Sequence, residues 1–374
     1  MPVKSKADNC FPDYYVERDE SGNWHNMIHG VDLSVGGYVY ANPGMYLPKP
    51  GKSLAAITFD ATSLHPTDAI QLNYMGDDTP KYAELLAARV AIKHKDFDSA
   101  KKMFDGALAK YLEDESQAGG LSNALKTAAN SFYGISYTSY ENPARDWRNV
   151  NNIIALRGSL VMRTLQEHVE AMGYKVIHIK TDSIKIADPD EKICNYILEY
   201  GKHYGINYEV EHTWKKICLV NDAVFVGLHG DDDPKSPNEW ETTGKEFQIP
   251  YIRKSLFTHE PIEFDDLCTV FNTSAGTIHL VYDEGTDHEV DQFVGRVGQF
   301  VPMMNGHGAK LYRVNENKRY ALSGTTGYEW LESDKVLSSK ELQNYIDKDY
   351  FQKICNDAVS HINEFGDFNH FVEM

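Results

Sequence analysis

The sequence predicts an α+β protein, because strand-like and helix-like stretches occur in separate blocks rather than in regular alternation. Residues 23–58 and 275–332 hold short apolar runs broken by Gly, Pro, Asn and Asp, as expected of strands and turns. Residues 80–133 and 153–172 carry apolar side chains at helical spacing. With 374 residues, the chain is long enough for roughly two or three units that share substantial cores.

The elements follow in chain order. The strand predicted at residues 54–59 ends at Asp60, and three helices are predicted between residues 80 and 133, the second at 98–112 and the third from about Leu121. The helix at 153–172 ends at Gly173, and residues 175–180 and 184–187 form a hairpin, the second strand alternating between outward and inward side chains. A final helix is predicted at 338–364.

Composition indicates a globular protein without a membrane span. Hydrophobic residues make up 42% and charged residues 25%, and no stretch approaches the roughly 20 apolar residues that a bilayer requires. The N-terminal residues lack the apolar core of a signal peptide, which predicts that the chain is not exported. The 5 cysteines are scattered without a C-x-x-C pair, which argues against a zinc ribbon or an iron–sulfur module and fits reduced thiols in a cytosol.

The net charge is −18, whereas a nucleic-acid-binding protein usually carries net positive charge. Composition alone therefore points away from DNA. An acidic enzyme still binds DNA when its basic residues line one groove, so the net charge does not decide the question.

Two aspartates end or join predicted strands. Asp60 follows the strand at 54–59, and Asp182 lies at the tip of the predicted hairpin. Two carboxylates at neighbouring strand ends, together with cationic side chains aimed at phosphates, are the minimal protein equipment for two-metal nucleotidyl transfer. Taken separately, each aspartate has an ordinary explanation, Asp60 as the cap of the following helix and Asp182 as a common turn residue.

A helical segment between them carries Lys126, Asn130 and Tyr133, whose spacings of four and three residues place them on one face. A lysine there suits a triphosphate, and a tyrosine suits packing against a base or sugar. The alternative is an ordinary amphipathic helix with a solvated lysine. The acidic stretch at 230–234 is predicted to be an exposed loop, with a cation site as its alternative.

The order of these pieces resembles the polymerase motifs of DNA polymerase family B, which read D-x-x-S-L-Y-P, K-x-x-x-N-S-x-Y-G and D-T-D-S. The corresponding stretches here are DATSLHP, KTAANSFYG and KTDS. Residues 36–39 resemble the family's segment before the first motif, and residues 243–251 resemble the thumb entry of phage members. The resemblance covers roughly residues 25–260 and is strongest to bacteriophage enzymes.

The resemblance implies a right-hand polymerase with an antiparallel-sheet palm, helical fingers and a mixed α/β thumb or C-terminal region. The implied division is an N-terminal segment and first part of the palm at 1–71, fingers at 72–134, palm at 135–245, and thumb and C-terminal region at 246–374. It also implies DNA synthesis from dNTPs on a primer-template, with primer-template DNA as the partner, no membrane, and a cytoplasmic location in the host cell if the chain is phage-encoded.

The resemblance implies a role for each motif residue. Asp60, Asp182 and the Ala61 carbonyl would hold two Mg²⁺ ions, with Mn²⁺ as an alternative, and Lys126 would act with the two aspartates in catalysis. The implied substrate-binding residues are Ser63, Leu64, His65, Arg89, Lys93, Asn130, Tyr133 and Gly134. Among these, Arg89 and Lys93 lie one helical turn apart and would grip phosphates together, with a solvated basic stripe as the alternative.

Several departures from the family pattern change what is expected. His65 replaces the tyrosine that blocks a 2′-hydroxyl, so selectivity against ribonucleotides should persist but weaken. Lys180 replaces the first aspartate of D-T-D-S, and the primer-gripping K-x-Y is missing from residues 221–225. No exonuclease motif precedes the recognisable region, which predicts a chain without proofreading, its exonuclease being a separate subunit or the chain being a fragment. A processivity factor is a further expected partner.

Two other readings of the function remain. The first is a non-catalytic DNA-binding subunit with the shape of a polymerase, although such a scaffold has no need for unpaired carboxylates in a cleft. The second is a primase-like polymerase with relaxed sugar selectivity, which only His65 suggests.

Overall fold

The computed structural model describes residues 14–18, 20–21, 24–28, 31–32, 37–142, 144, 153–316, 318–331 and 343–373. The chain divides into two compact units. The first unit takes its described residues from Met1–Asn42, Tyr46–Lys216 and His229–Asn238. The second takes them from Pro43–Met45, Ile217–Leu228 and Glu239–Met374. Antiparallel sheets and helices occur in both, so the predicted α+β class is confirmed.

Within the described residues, the strands are β1 Tyr14–Arg18, β2 Trp24–Ile28, β3 Val31–Asp32, β4 Val39–Ala41, β5 Gly44–Tyr46, β6 Ala56–Ala61, β7 Lys175–Lys180, β8 Ser183–Ala187, β9 Tyr208–Leu219, β10 Phe225–His229, β11 Trp240–Thr243, β12 Thr269–Asn272, β13 Thr277–Tyr282, β14 Val290–Gly295, β15 Val297–Met303, β16 Lys310–Asn315, β17 Lys318–Ala321 and β18 Gly327–Trp330. The α-helices of the same residues are α1 Leu64–Gln71, α2 Thr79–Lys93, α3 Phe97–Ala100, α4 Ala118–Ser136, α5 Ile153–Ala171, α6 Glu191–Tyr204, α7 Pro250–Arg253, α8 Lys348–Asn363 and α9 Phe368–Glu373.

The central sheet of the first unit is antiparallel, with strands in the order β4-β7-β8-β6-β9. The predicted hairpin of β7 and β8 is confirmed, but the alternation predicted for residues 184–187 is wrong, because all four side chains are buried. Lys185 is only 7% exposed, and its ammonium group lies 5.8 Å from the ring centre of Trp214. A sheet covered on both faces buries both sets of side chains, so periodicity of two is lost.

Helices α5 and α6 pack against this sheet and form the main core of the first unit. The sequence sets their ends locally. Gly173 has a φ of 87°, in the left-handed region, which confirms the predicted end of α5. The side chain of Asp190 accepts a hydrogen bond of 3.0 Å from the Ile193 N–H and caps α6, which ends at Gly205 with a φ of 69°.

The prediction of one helix at 98–112 is wrong. The short α3 is followed by 3₁₀ turns at Phe104–Gly106, Ala109–Tyr111 and Glu115–Gln117. Phe104 and Asp105 both have positive φ angles, 52° and 54°, which no α-helix contains. The Phe104 N–H instead donates a 2.8 Å hydrogen bond to the Glu84 carboxylate on α2. The next helix, α4, begins at Ala118 rather than at Leu121 and continues beyond Gly134.

The second unit contains the β-rich region predicted at 275–332. Its sheets have the strand orders β12-β15-β18 and β14-β13-β16-β17, and their buried side chains form two clusters. The predicted final helix exists as α8, but it begins at Lys348, where the Asp347 side chain caps it. Residues 338–342 of that prediction lie outside the described residues, as do Cys10 and Gly36.

Four cysteines fall within the described ranges, and all of them have free thiols, in agreement with the prediction of reduced cysteines. Within the same ranges, no helix is both long and apolar enough to cross a bilayer.

Candidate active site of the first unit

Asp60 and Asp182 meet where β6 lies beside the β7–β8 turn. Asp60 is the penultimate residue of β6 and pairs with Ser183, and the Ala61 N–H donates a 2.8 Å hydrogen bond to the Asp182 carbonyl. Backbone pairing, rather than a flexible loop, therefore brings the two aspartates together. The alternative that Asp60 caps the next helix is wrong, since Ser63 occupies the capping position of α1.

The turn that presents Asp182 is held from outside the hairpin. Thr181 has a φ of 58°, and its N–H donates a 2.9 Å hydrogen bond to the Tyr38 carbonyl. Gly37 lies against the same turn with a φ of 107°, and a Cβ placed there would lie 3.0 Å from the Thr181 methyl group. Glycine is required at position 37 both for its conformation and for this close approach.

An open pocket of about 330 Å³ surrounds the two aspartates. Most of the residues predicted to bind metal or substrate line it together. The lining residues are Asp60, Ala61, Ser63, Leu64, His65, Pro66, Arg89, Lys126, Asn130, Tyr133 and Asp182. Lys93 and Gly134 are the predicted site residues that do not line it.

Both carboxyl groups are held in an environment that disfavours their charge. Burial, the Asp182 carboxylate and the Glu211 carboxylate raise the pKa of Asp60 to about 7. Burial and Glu211 likewise raise the pKa of Asp182, against the opposing effect of Lys126. Adjacent buried carboxyl groups gain most from a cation that neutralises them.

The oxygen-only character of these donors fits magnesium. Asp60 and Asp182 supply carboxylate oxygens, and Ala61, whose N–H donates to the Asp182 carbonyl, lines the pocket with them and has a backbone carbonyl oxygen as a further donor. Hard divalent cations prefer such ligands over nitrogen or sulfur. The donor set and the raised carboxyl pKa values are therefore what a divalent-cation site requires.

Glu211 is a carboxylate that the sequence analysis missed. It lies on β9, it raises the pKa of both aspartates, and its side chain pairs with Lys235 at 2.8 Å. The available signal was the stretch Glu209-Val210-Glu211, in which two acidic residues separated by one residue share a face of a strand. The pairing of β9 with β6 was needed to show that Glu211 lies near Asp60 and Asp182.

Helix α2 supplies a cation to the pocket. Its Pro80 occupies the first turn, where proline is tolerated, and Ala88 and Ile92 are buried in the core beneath it. Arg89 reaches the motif around Asp60 and donates a hydrogen bond to the Ser63 hydroxyl. The guanidinium group thus stands at the pocket wall, where a phosphate would find a bidentate donor.

Helix α4 supplies the predicted Lys126, Asn130 and Tyr133, which all line the pocket as their helical spacing predicted. The helix is fixed to α2 by the Tyr82 hydroxyl, which donates a 2.8 Å hydrogen bond to the Ala129 carbonyl. Lys126 and Asn130 are exposed, so neither side chain is part of a core. Lys126 also lowers the pKa of Asp182, which places its charge near that carboxylate.

The ring of His65 packs against the ring of Tyr133, with centroids 4.5 Å apart and planes tilted by 30°. Burial lowers the pKa of His65, so its imidazole is neutral near pH 7. The imidazole therefore acts as a flat, uncharged surface within the pocket.

Lys93, Gly134 and Lys180 do not line the pocket. The Lys93 ammonium group contacts the Glu209 carboxylate at 2.8 Å, although its charge still lowers the pKa of Asp60. Gly134 is exposed on α4, and Lys180 is exposed at the end of β7.

The loop predicted at 230–234 is only partly exposed. Asp233 is 5% exposed and accepts hydrogen bonds from the backbone N–H groups of Thr213, Lys235 and Ser236. Burial alone would raise its pKa, but these donors and His212 lower it to about 2. The carboxylate thus has a structural role in the loop, which the local sequence did not indicate.

No protein-family model and no curated protein matches the chain. Among solved structures, the chain is similar to the family B DNA polymerase from the hyperthermophilic archaeon Pyrobaculum calidifontis, with 13% sequence identity and a TM-score of 0.46. The match covers 86% of this chain and 46% of that chain, so this chain spans less than half the length of that polymerase.

Proposed function

We propose that the chain is a template-directed DNA polymerase that adds deoxynucleoside monophosphates from dNTPs to a primer 3′-hydroxyl. The observation that carries the proposal is the pocket in which Asp60 and Asp182 lie together with Arg89 and Lys126. Asp60, Lys126 and Asp182 come from three segments that are distant in sequence and resemble family B motifs, and Arg89 comes from helix α2 between the first two. A chain without this chemistry has no need to gather two carboxylates with raised pKa values beside two cations.

In this proposal Asp60, Asp182 and the Ala61 carbonyl would hold two Mg²⁺ ions. When bound, such ions would supply the electrostatic stabilisation that nucleotidyl transfer requires. Arg89 and Lys126 bind and orient the triphosphate from two different helices. Since positioning and charge compensation supply most of the rate in phosphoryl transfer, the side chains need not donate or accept protons themselves.

The same proposal assigns Asn130 to the support of the triphosphate site, and His65 with Tyr133 to the sugar and base of the incoming nucleotide. Ser63, Leu64 and Gly134 complete the substrate-binding set. The palm would comprise 1–71 and 135–245, the fingers 72–134, and the thumb and C-terminal region 246–374. Phage replication is the biological setting that the motif resemblance supports.

Primer extension with purified protein tests the proposal. Wild type with Mg²⁺ or Mn²⁺ should extend a labelled primer on a template strand, and Asp60→Asn and Asp182→Asn should each reduce extension by about a thousandfold or more, because each removes a ligand charge. Asp232→Asn is the matched control, since Asp232 is an exposed carboxylate of the same unit outside the pocket. Its extension rate should equal that of wild type.

Equilibrium binding to the same primer-template separates the enzyme from a non-catalytic DNA-binding subunit. Binding without extension under either metal would sink the polymerase proposal in favour of that subunit. Extension that requires no primer would favour the primase-like alternative. The unfolding temperature of each variant is compared with that of wild type. A similar temperature means that a loss of extension reflects lost chemistry rather than a lost fold.

A further inference from the structure

Glu209 holds the C-terminal end of helix α2. Its carboxylate contacts the Lys93 ammonium group at 2.8 Å and the His94 Nε2 atom at 3.2 Å. The Asn207 amide donates a further hydrogen bond of 3.2 Å to the same carboxylate. Glu209 therefore gathers donors from the helix and from its own strand, and its position does not depend on one contact.

This carboxylate lies next to the candidate active site. Glu209 on β9 is the backbone partner of Asp60 on β6, and the Thr62 N–H donates a 2.8 Å hydrogen bond to the Asn207 carbonyl. The segment that follows Asp60 and the strand that carries Glu209 are thus joined by backbone bonds. Glu209 therefore lies on the strand next to the one that carries Asp60.

Two basic side chains in the C-terminal half of helix α2 have different surroundings. Arg89 lines the pocket, whereas Lys93, one turn later on the same helix, rests on Glu209. The charge of Lys93 nevertheless lowers the pKa of Asp60, so the ammonium group lies within electrostatic reach of the pocket. Lys93 is therefore the basic side chain nearest along the helix to the one that lines the pocket, and its partner is a carboxylate outside the pocket lining.

We propose that Glu209 is a positioning residue that holds Lys93 away from the pocket and releases it to the phosphates of an incoming nucleoside triphosphate. The proposal deepens the proposed function and rests on it for the substrate class. The side chains of Lys93 and Glu209 are 45% and 31% exposed. Exposed ion pairs of this kind are weak, so a polyanion can exchange for the carboxylate at little cost.

Binding of dATP with Mg²⁺ to the protein without DNA, measured by calorimetry, tests the exchange. Glu209→Gln should tighten binding about two- to fivefold, which is the range set by an exposed ion pair that no longer has to be broken. Lys93→Gln should weaken binding. In the double variant, Glu209→Gln should have no further effect, because there is no lysine left to release.

Glu199→Gln is the matched control, because Glu199 forms an exposed ion pair with Lys202 that does not line the pocket. It should leave dATP affinity unchanged. In primer extension, Glu209→Gln should lower the KM for dATP by a similar factor and should affect kcat less. If Glu209 had a purely structural role, Glu209→Gln would lower the unfolding temperature and leave dATP affinity unchanged.

The proposal is overturned if Glu209→Gln binds dATP as wild type does or more weakly, or if wild type binds no dATP. It is equally overturned if Glu209→Gln tightens binding to the same extent in the Lys93→Gln background. The Glu209 carboxylate would then act only by repelling the phosphates of dATP, and not through Lys93. If the binding cycle holds but wild type extends no primer, the polymerase function fails and the role of Glu209 stands.

Discussion

Asp60 lies in surroundings that its neighbours in sequence do not suggest. Burial beside Asp182 and Glu211 raises its pKa to about 7, whereas an aspartate in an unfolded chain titrates near about 3.9. The folded chain therefore binds a proton at Asp60 more tightly than the unfolded chain does. The stability that this proton contributes is complete below about pH 4 and is lost as pH rises through about 7.

Asp60→Asn should consequently stabilise the protein in a pH-dependent way when divalent cations are absent. The gain in unfolding free energy over wild type should be larger at about pH 8 than at about pH 5, by roughly 1 kcal/mol after allowance for solvent screening. Urea unfolding at both pH values measures it. Asp232→Asn should show no such difference, and an equal gain at both pH values would contradict the assigned pKa.

His65 is the residue expected to influence sugar selectivity. The neutral ring of His65 packs on the ring of Tyr133. In the motif that the first segment resembles, a tyrosine stands at the position of His65, and its side chain is longer than that of histidine. Under the proposed function, His65→Tyr should lower ribonucleotide incorporation relative to deoxynucleotide incorporation by about tenfold, the effect of one well-placed contact. Single-nucleotide extension with both substrates measures the ratio, and an unchanged ratio would refute this role of His65.

At the scale of elements, helix α1 is fastened to α5 by a buried ion pair. Asp68 is fully buried, and Arg157 donates a hydrogen bond to its carboxylate and another, of 3.1 Å, to the Tyr204 carbonyl. Gly158 provides the space, since a Cβ there would lie 2.8 Å from the Asp68 carboxylate. Because α1 follows directly from Asp60 and Ser63, this pair supports one wall of the pocket.

Arg157→Met should lower the free energy of unfolding by about 3 kcal/mol, the lower end for a broken buried pair, because burial raises the pKa of Asp68 to about 7 and its carboxyl can take up a proton when Arg157 is lost. Lys202→Met is the comparison, since Lys202 and Glu199 are 69% and 70% exposed, and it should cost less than about 1 kcal/mol. Chemical denaturation measures both variants. Similar losses for the two would show that the buried pair contributes little to stability.

At the scale of the whole molecule, the net charge of −18 opposes DNA binding over distance. The proposed function therefore requires basic side chains that contact the DNA backbone to overcome a general repulsion. Salt weakens both the attraction of these cations for phosphates and the repulsion by the acidic surface, and the release of condensed counterions favours binding at low salt.

Primer-template affinity should therefore still fall as salt rises. If roughly three phosphates are neutralised, the affinity should drop about fortyfold between about 50 mM and about 200 mM salt. Fluorescence anisotropy over that range measures the slope. An affinity for primer-template that stays constant or rises with salt would mean that contacts to DNA phosphates do not govern binding. That result would contradict the DNA binding that the proposed function requires.

Local patterns predicted much of the fold. The helix from residue 80, the end of α5 at Gly173 and the β7–β8 hairpin all depend on interactions among near neighbours, and all are confirmed. The helix predicted at 98–112 is wrong because the Phe104 amide bonds to Glu84 on another helix, a contact that periodicity does not contain. The alternation of outward and inward side chains predicted for residues 184–187 is wrong because all four are buried, and Lys185 lies against the ring of Trp214.

The motif residues and the helical face shared by Lys126, Asn130 and Tyr133 could be read from the amino-acid order, because spacing along one helix settles which side chains are neighbours. Long-range contacts were needed to show that Asp60 and Asp182 meet, that Glu211 raises the pKa of both and that Lys93 contacts Glu209. These contacts join strands and helices distant in the chain, so backbone pairing between β6, β8 and β9 had to form before the aspartates could become one site.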